Sequence, residues 1–431
     1  PIPRSDAGRS CGPPDSRLAY ADHRRSPYHP WRAPPRAAFF VQAFPSVRPT
    51  ESSSESGNPP DPIEAGEPDE VDRVDHPLHE PPGPRLTVVV VNYDGWPDVL
   101  ALAERLTREP EFLSGACRVV VVDNASPSPI PEADVFRRPG LRLVMRPDNG
   151  GFAVGVNAGW RASSGRWLLL LNPDVDVEPG LLGRILRRIE AYEARPEGPP
   201  GIVGFGLRNA DGSPQGSVGV FPSLARSFRE QFIPRRRRKY LPESRLAPGP
   251  VDWVTGACML VDARLTAELG GMDEDFFLYH EEVAFCRRAW DRGRRVEYDP
   301  SVSVTHRAPL QDRPISPKMR VVIRHSKLLY FRKHAPRSQF LALARIVKLE
   351  AAARGLWAAL RNRPAERRTW RAIGAIADQL RRDRARQVKA LGIVRAPDAD
   401  MAERIQDAFA REDAVGGGDK HVRRFGRHER F

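Results

Sequence analysis

The chain has 431 residues, with 68 Lys and Arg against 55 Asp and Glu, and a formal net charge of +13. That length suits one large α/β domain with appendages, and the charge points to an anionic partner: nucleic acid, an acidic membrane surface or a phosphorylated substrate. Four scattered cysteines, Cys11, Cys117, Cys258 and Cys286, form no CxxC pair, which argues against a disulfide framework and a zinc site and for a reducing compartment.

Residues 1–84 are rich in Pro, Ser and charged residues, as in ESSSESGNPPDPIEAGEPDEVD. Such a stretch offers too little apolar surface to offset its ordering entropy, so a disordered leader is expected. It shows no apolar signal core, and no apolar run in the chain reaches the roughly 18 residues of a bilayer span.

Order is expected from Leu86, where LTVVVVNY reads as a buried strand. Asp98 to Thr107 follows with helical spacing, Val99, Leu102, Ala103 and Leu106 sharing a face. Arg118 to Val122 and Leu141 to Met145 read as further strands. A Gly-rich turn and short helix, DNGGFAVGVNAG, then lead to the apolar strand Trp167 to Leu171. Pro179 to Ala191 reads as a helix and Gly201 to Leu207 as a strand; residues 208–250 look looped and hold the basic run IPRRRRKY, Ile233 to Tyr240. Val254 to Val261 is expected as one strand, Arg264 to Leu269 as a short helix closed by Gly270–Gly271, and Glu281 to Arg292 as a helix. Arg295 to Tyr298 and Ser301 to Thr305 read as separate extended segments, ending at His306. Met319 to His334 is basic and amphipathic, residues 336–415 form a basic helical region, and 416–431 reads as a disordered tail. The helical region suits packing on the catalytic domain or an interfacial seat on a membrane.

The alternation predicts an α/β fold with a mainly parallel sheet flanked by helices. Ligands of such sheets sit outside the carboxyl ends of the strands. Three predicted strand ends carry polar residues: Asn92–Tyr93, Asp123–Asn124 and Asn172–Asp174. Two acidic clusters, Asp174/Asp176 and Glu281/Glu282, are joined by His306 at the end of an extended run. A hard divalent cation held by carboxylates, with a separate carboxylate base, suits group transfer from a phosphorylated donor. Neither the dinucleotide fingerprint GxGxxG nor the phosphate-binding GxxxxGK[ST] is present, and no nucleic-acid module accompanies the basic run, so no nucleic-acid partner is expected.

Six stretches in order resemble glycosyltransferase family 2, above all its rhamnosyltransferase-like branch. They are VVVVNY (88–93), VVVVDNAS (119–126), NGGFAVGVNAG (149–159), LLLLNPDV (168–175), WVTGACMLV (253–261) and GGMDEDFFLYHEEVAFCRRAWDRG (270–293). HSKLLYFRKH (325–334) resembles the segment after that family's catalytic domain, so the likeness covers about residues 86–334. The resemblance implies a GT-A fold over residues 85–335, with a donor half near 85–180 and an acceptor half near 200–310. It implies an inverting transfer of a sugar, rhamnose-like in this branch, from a nucleoside diphosphate to a hydroxyl of a glycan or polyprenyl-linked acceptor. A divalent metal, Mg2+ or Mn2+, and a cytoplasmic location, with peripheral attachment to the anionic inner face of the plasma membrane, complete the expectation.

By the same resemblance Tyr93, Asp123, Asn149, Gly151 and Asn172 bind the donor. Asn172–Pro173–Asp174 stands where the family has DxD, so Asp174 is the metal ligand, with Asp176 and His306 as further candidates. Glu282 takes the general-base position beside Glu281, and Ala284 replaces a second acid of the family's motif. That replacement leaves open a catalytically impaired binding relative. A sugar nucleotidyltransferase is a further alternative, although VVVVNYDGWPD lacks a basic triphosphate loop.

Overall fold

The computed structural model describes residues 83–230, 233, 239–242, 246–307 and 315–389, with side chains to residue 382. The leader up to residue 82, the arginines of the basic run and the tail read from residue 416 lie outside the described residues.

The chain opens with β1 (Leu86–Asn92), α1 (Trp96–Leu106), the single turn α2 (Pro110–Leu113), β2 (Cys117–Asp123), β3 (Leu141–Met145), α3 (Phe152–Arg161), β4 (Trp167–Leu171) and β5 (Val175–Asp176). It continues with α4 (Leu181–Glu193), β6 (Ile202–Arg208), β7 (Pro214–Gln215), β8 (Val218–Gly219), α5 (Leu224–Arg229), β9 (Gly249–Pro250), β10 (Trp253–Val254), β11 (Cys258–Asp262), α6 (Ala263–Leu269), α7 (Glu281–Asp291) and β12 (Val296–His306). Three long helices follow: α8 (Pro317–His334), α9 (Arg337–Leu360) and α10 (Pro364–Lys389).

The main sheet runs β3-β2-β1-β4-β11-β6-β12-β5. β3, β2, β1 and β4 are mutually parallel, as expected. Past β4 the sheet is mixed, because β11 lies antiparallel to both β4 and β6. The run expected as one strand, Val254 to Val261, is broken: Trp253–Val254 pairs with β8 in a small separate ribbon, and only Cys258 onward joins the main sheet. Conversely, the two extended segments expected after Arg295 form one strand, β12, with an irregularity between Asp299 and Ser303. The stretch expected as loop over 208–250 holds short elements, α5 among them, capped by the Ser223 side chain accepting from the Arg226 amide.

Burial explains the central strands. β4 is WLLLL with every residue buried, and each of its leucines contributes about 2 kcal/mol of burial. One apolar cluster contains Val88, Val119, Trp167 and the inner face of α4; the other runs from Val89 and Ala153 through α7 and α8 to Leu343, Val347, Trp370 and Leu380. α9 and α10 therefore pack on the same core as α7. α3 lies close on the sheet because Gly155 and Gly159 face it: a Cβ there would meet Val91 Cγ1 at 2.6 Å and Val89 Cγ1 at 2.3 Å.

The topology collects strand ends. The carboxyl ends of β1, β2 and β4 share one edge, with Asn92 in register with Asp123. β6 runs parallel to β4 by way of β11, and β12 runs parallel to β6, so His306 ends at the same edge. β11, running the other way, begins there, which brings Thr255 to Ala257 beside Asn172; the Asn172 amide donates to the Ala257 carbonyl at 3.1 Å.

Candidate active site

Backbone strain concentrates at this edge. Among the described residues five non-glycine residues have positive φ: Asp94, Ala125, Tyr279, His280 and Asn362. The first two follow β1 and β2, and Tyr279 and His280 immediately precede α7. A side-chain-bearing residue in this region costs of order 1–3 kcal/mol and persists where the surroundings dictate it, commonly at functional sites.

On the donor side Asp123 is buried and serves the loop that follows it. Its Oδ1 accepts from Asn92 Nδ2 at 2.7 Å and from Ser126 Oγ at 2.5 Å, and its Oδ2 accepts from the Ser126 amide at 3.0 Å. Tyr93 and Asn149 are half-buried; Asn149 Oδ1 accepts from the Gly151 amide at 3.1 Å. Gly151 is a joint between the two halves. Its carbonyl accepts from Asn124 Nδ2 at 2.9 Å, the Phe152 amide donates to the Phe277 carbonyl at 2.9 Å, and its φ is 92°. A Cβ at Gly151 would lie 2.1 Å from the Phe277 oxygen, so only glycine fits. One turn on, Asn157 clamps the same partner loop. Its Nδ2 donates to the Met272 carbonyl at 2.9 Å and to Glu274 at 2.8 Å, and its Oδ1 accepts from the Met272 amide at 2.8 Å.

Asp174 and His306 meet because His306 is in antiparallel register with Val175; Nε2 lies 3.3 Å from Asp174 Oδ1. Gln215 sets the ring. Its amide nitrogen donates to Asn209 Oδ1 at 2.8 Å and to the His306 carbonyl at 3.1 Å, so its Oε1, 2.7 Å from His306 Nδ1, accepts the proton there. Nε2 thus carries either a proton or a lone pair facing a carboxylate. The latter pairing is one that a bound cation would satisfy, and a neighbour that fixes the ring in this way is what metal-binding histidines use. Asp176 is turned elsewhere: its carboxylate pairs with Arg307 at 3.3 Å and Arg105 at 3.8 Å. Among the described residues no three His, Cys, Asp or Glu cluster as a metal cage. Cys117, Cys258 and Cys286 are buried and unbridged.

Glu281 and Glu282 open α7, where the helix dipole favours negative charge. Both are buried, and among the described residues an oxygen of each, Oε2, has no hydrogen-bond partner. Glu282 Oε1 accepts from Lys239 Nζ at 3.0 Å. Lys239 sits among the rings of Tyr240, Trp253 and Tyr279, 5.1, 5.4 and 5.9 Å from their centroids. Burial alone would raise Glu282, but Lys239, its hydrogen bond and His280 outweigh it and hold this carboxylate below its usual range. Glu281, with burial and the Glu282 charge acting together, is pushed well above it. The two acids are thus driven apart, Glu282 toward its ionised form and Glu281 toward its protonated one. Burial, aided by Lys239 and Lys327 against Glu282, lowers the His280 imidazole to about 3.

A cavity of about 500 Å³ joins these groups: Asn172, Gln215, Lys239, Glu281, Glu282 and His306 all line it. Ala284 does not. Its side chain is fully buried in the apolar core, so the position where the family motif has a second acid faces away from the cavity. Lys239, Gln215 and Asn157 escaped the sequence reading as site residues. Lys239 ended a basic run that looked like a surface patch, and a lone glutamine or helical asparagine carries no signal of its partner.

The Glycosyl transferase family 2 profile matches residues 87–240. The N-acetylglucosaminyl-diphospho-decaprenol L-rhamnosyltransferase of Mycobacterium tuberculosis is 30% identical, over 51% of this chain and 75% of that one. The low-salt glycan biosynthesis hexosyltransferase Agl10 of Haloferax volcanii is 25% identical, over 52% of this chain and 68% of that one. Among solved structures, a Pyrobaculum calidifontis mannosyltransferase in complex with GDP-Man and Mn2+ aligns with 77% of this chain and 80% of its own at 16% identity; its TM-score, 0.38, is too low to carry residue roles. The chain belongs to glycosyltransferase family 2, in its rhamnosyltransferase-like branch, and is a nucleotide-sugar glycosyltransferase.

Proposed function

We propose that the protein transfers a rhamnose-like sugar, with inversion, from a nucleoside diphosphate to a hydroxyl of a polyprenyl-linked glycan acceptor. The observation that carries this is Glu282: a buried, ionised carboxylate with one oxygen held by Lys239 and the other unpartnered, in the same cavity as Asn172 and His306. The acceptor's class follows the activity for which the mycobacterial relative is named.

In this reading the acceptor hydroxyl gives its proton to Glu282 as its oxygen bonds the anomeric carbon. The bond from that carbon to the donor phosphate oxygen breaks, and the nucleoside diphosphate leaves with the electron pair. A single displacement inverts the centre. Glu281, which burial and the Glu282 charge drive toward its protonated form, then presents a hydrogen-bond donor beside the acceptor. Tyr93, Asn149, Gly151 and Asn172 border the donor, and Asp123 shapes the donor loop through Asn92 and Ser126. Asp174 and His306 would hold a divalent cation, Mg2+ or Mn2+, which when bound supplies positive charge to the departing diphosphate. Asp176, engaged by two arginines, steadies the turn.

The setting we assign is the cytoplasmic face of a membrane. No helix among the described residues is long and apolar enough to cross one. Leu349, Leu356, Trp357 and Leu360 are exposed together on the outer face of α9, flanked by the exposed basic residues Arg345 and Arg361. That pairing suits an anionic lipid surface.

The test is metal-dependent release of nucleoside diphosphate from a donor panel by wild type, Asp174→Ala and Glu282→Gln. Each variant is expected to lose at least about 100-fold, the lower range for removal of a general base. Equal background release from all three, with donor still bound, overturns the transfer reading.

A further inference from the structure

The cavity extends well past the acid pair. α8 forms one wall: Ser326 Oγ donates to the Leu278 carbonyl at 2.7 Å, which fixes this helix against the loop leading into Glu281. Moving from Ser326 toward the helix N-terminus, Ile323, Arg324 and Arg320 also line the cavity, as does Lys327 beside Ser326. α5 and α9 form the facing walls, through Phe228 and through Leu343, Ile346 and Val347. Ion pairs stitch the three helices together: Lys327 to Glu230 at 3.1 Å, Arg226 to Glu230 at 2.9 Å and Arg324 to Glu350 at 2.8 Å.

Two features of this arm do not serve folding alone. Its apolar side chains line an open cavity that a core would fill, since interiors are packed nearly solid. Its charges do not balance either: among the described residues Arg226, Arg320, Arg324 and Lys327 line it, opposed by Glu230 and Glu350. Arg320 stacks on Trp370, 5.6 Å from its centroid, and so is held in place. Excess positive charge beside an apolar slot favours a ligand that is itself anionic at one point and apolar beyond it.

We propose that the α5–α8–α9 arm is a subsite for the lipid phosphate portion of the acceptor, its chain against Ile323, Leu343, Ile346 and Val347 and its phosphate groups met by Arg320, Arg324 and Lys327. This rests on the transfer reading only for placing the acceptor's sugar toward Glu282; binding of the lipid phosphate itself is independent of it. α9 then has two roles, its inner face lining the arm and its outer face carrying the exposed leucines.

The experiment is calorimetry of the full chain with farnesyl diphosphate, inorganic diphosphate and farnesol as probes. Farnesyl diphosphate is expected to bind at least tenfold tighter than either fragment. Ile346→Glu and Arg320→Glu are each expected to weaken it at least tenfold; Ile346→Ala, which removes packing without adding charge, is expected to weaken it severalfold and serves if the glutamate variant fails to fold. Farnesyl diphosphate matching inorganic diphosphate would show an anion site only, and matching farnesol an apolar pocket only. Either result, or unchanged binding in the folded variants, overturns the proposal. Because no sugar transfer is measured, failure here leaves transfer to a water-soluble acceptor standing, and failure of diphosphate release leaves the lipid subsite standing.

Discussion

Replacing Lys239 by methionine tests how Glu282, the proposed base, is kept ionised. Lys239 Nζ lies 3.0 Å from Glu282 Oε1, with the lysine side chain 33% exposed and the glutamate 6% exposed. At that separation and an effective dielectric near 20, the attraction is about 5 kcal/mol. Desolvation offsets part of it, and removing one partner of a buried pair costs about 3–5 kcal/mol. The lysine's partial exposure argues for the lower end, about 3 kcal/mol, or roughly two pH units at 1.36 kcal/mol per unit. The groups facing Glu282 are Lys239, His280 and Glu281, with Lys327 of α8 near His280. With Lys239 gone, the largest influence opposing burial is removed and Glu282 rises.

In wild type Glu282 is depressed, so its pairing stabilises the fold above the unfolded carboxylate range and is lost as pH falls through the lower folded value. Lys239 is raised, so its share is complete below the ordinary lysine range and is lost only as pH rises through the folded value. Between about pH 5 and 10 wild type should therefore be flat in this contribution. The assay is kcat/KM for diphosphate release from pH 5 to 9, with urea unfolding at pH 7. Lys239→Met is expected to fall at least tenfold between pH 8 and pH 5 while wild type changes less than threefold, and Lys239→Arg to restore most of the wild-type profile. Superimposable profiles for wild type and Lys239→Met would refute the argument, because Glu282 would then be ionised without the lysine.

Two other outcomes are expected. Gly151→Ala places a methyl 2.1 Å from the Phe277 oxygen at a φ of 92°, so its urea midpoint should fall by the equivalent of about 2 kcal/mol or more, with donor affinity falling too; a midpoint unchanged within error would mean that the joint yields freely. The double substitution Leu356→Glu, Leu360→Glu should abolish sedimentation with phosphatidylglycerol-containing vesicles and leave diphosphate release from a soluble donor intact. Retained sedimentation, or loss of a concentration-dependent dimer in place of lipid binding, would assign that face elsewhere.

The parallel half of the sheet was legible because its cues are local. Runs such as VVVVN and WLLLL can only be buried strands, and the polar residue closing each had to emerge at the same edge once the strands were parallel. The mixed half of the sheet was less legible. The stretch 254–261 looks continuous, yet Val254 leaves for a separate ribbon with β8, and nothing in its own residues specifies that partner. β12 was read as two pieces because Pro300 interrupts the pattern, although pairing to β6 on both sides keeps it one strand.

Sequence by itself determined the family and the strand ends, and it put forward Asp174, Glu281, Glu282 and His306 as site candidates, since spacing within one motif survives any folding. Tertiary structure decided their relations. Antiparallel register with β5 set His306 against Asp174, Gln215 chose its tautomer, and Asp176 was drawn to two arginines. Lys239, over forty residues before Glu282, became its counter-ion, and Ala284 turned into the core. Those outcomes depend on which distant elements pack together, and burial then fixes the charge of each acid through partners that a linear reading does not place beside it.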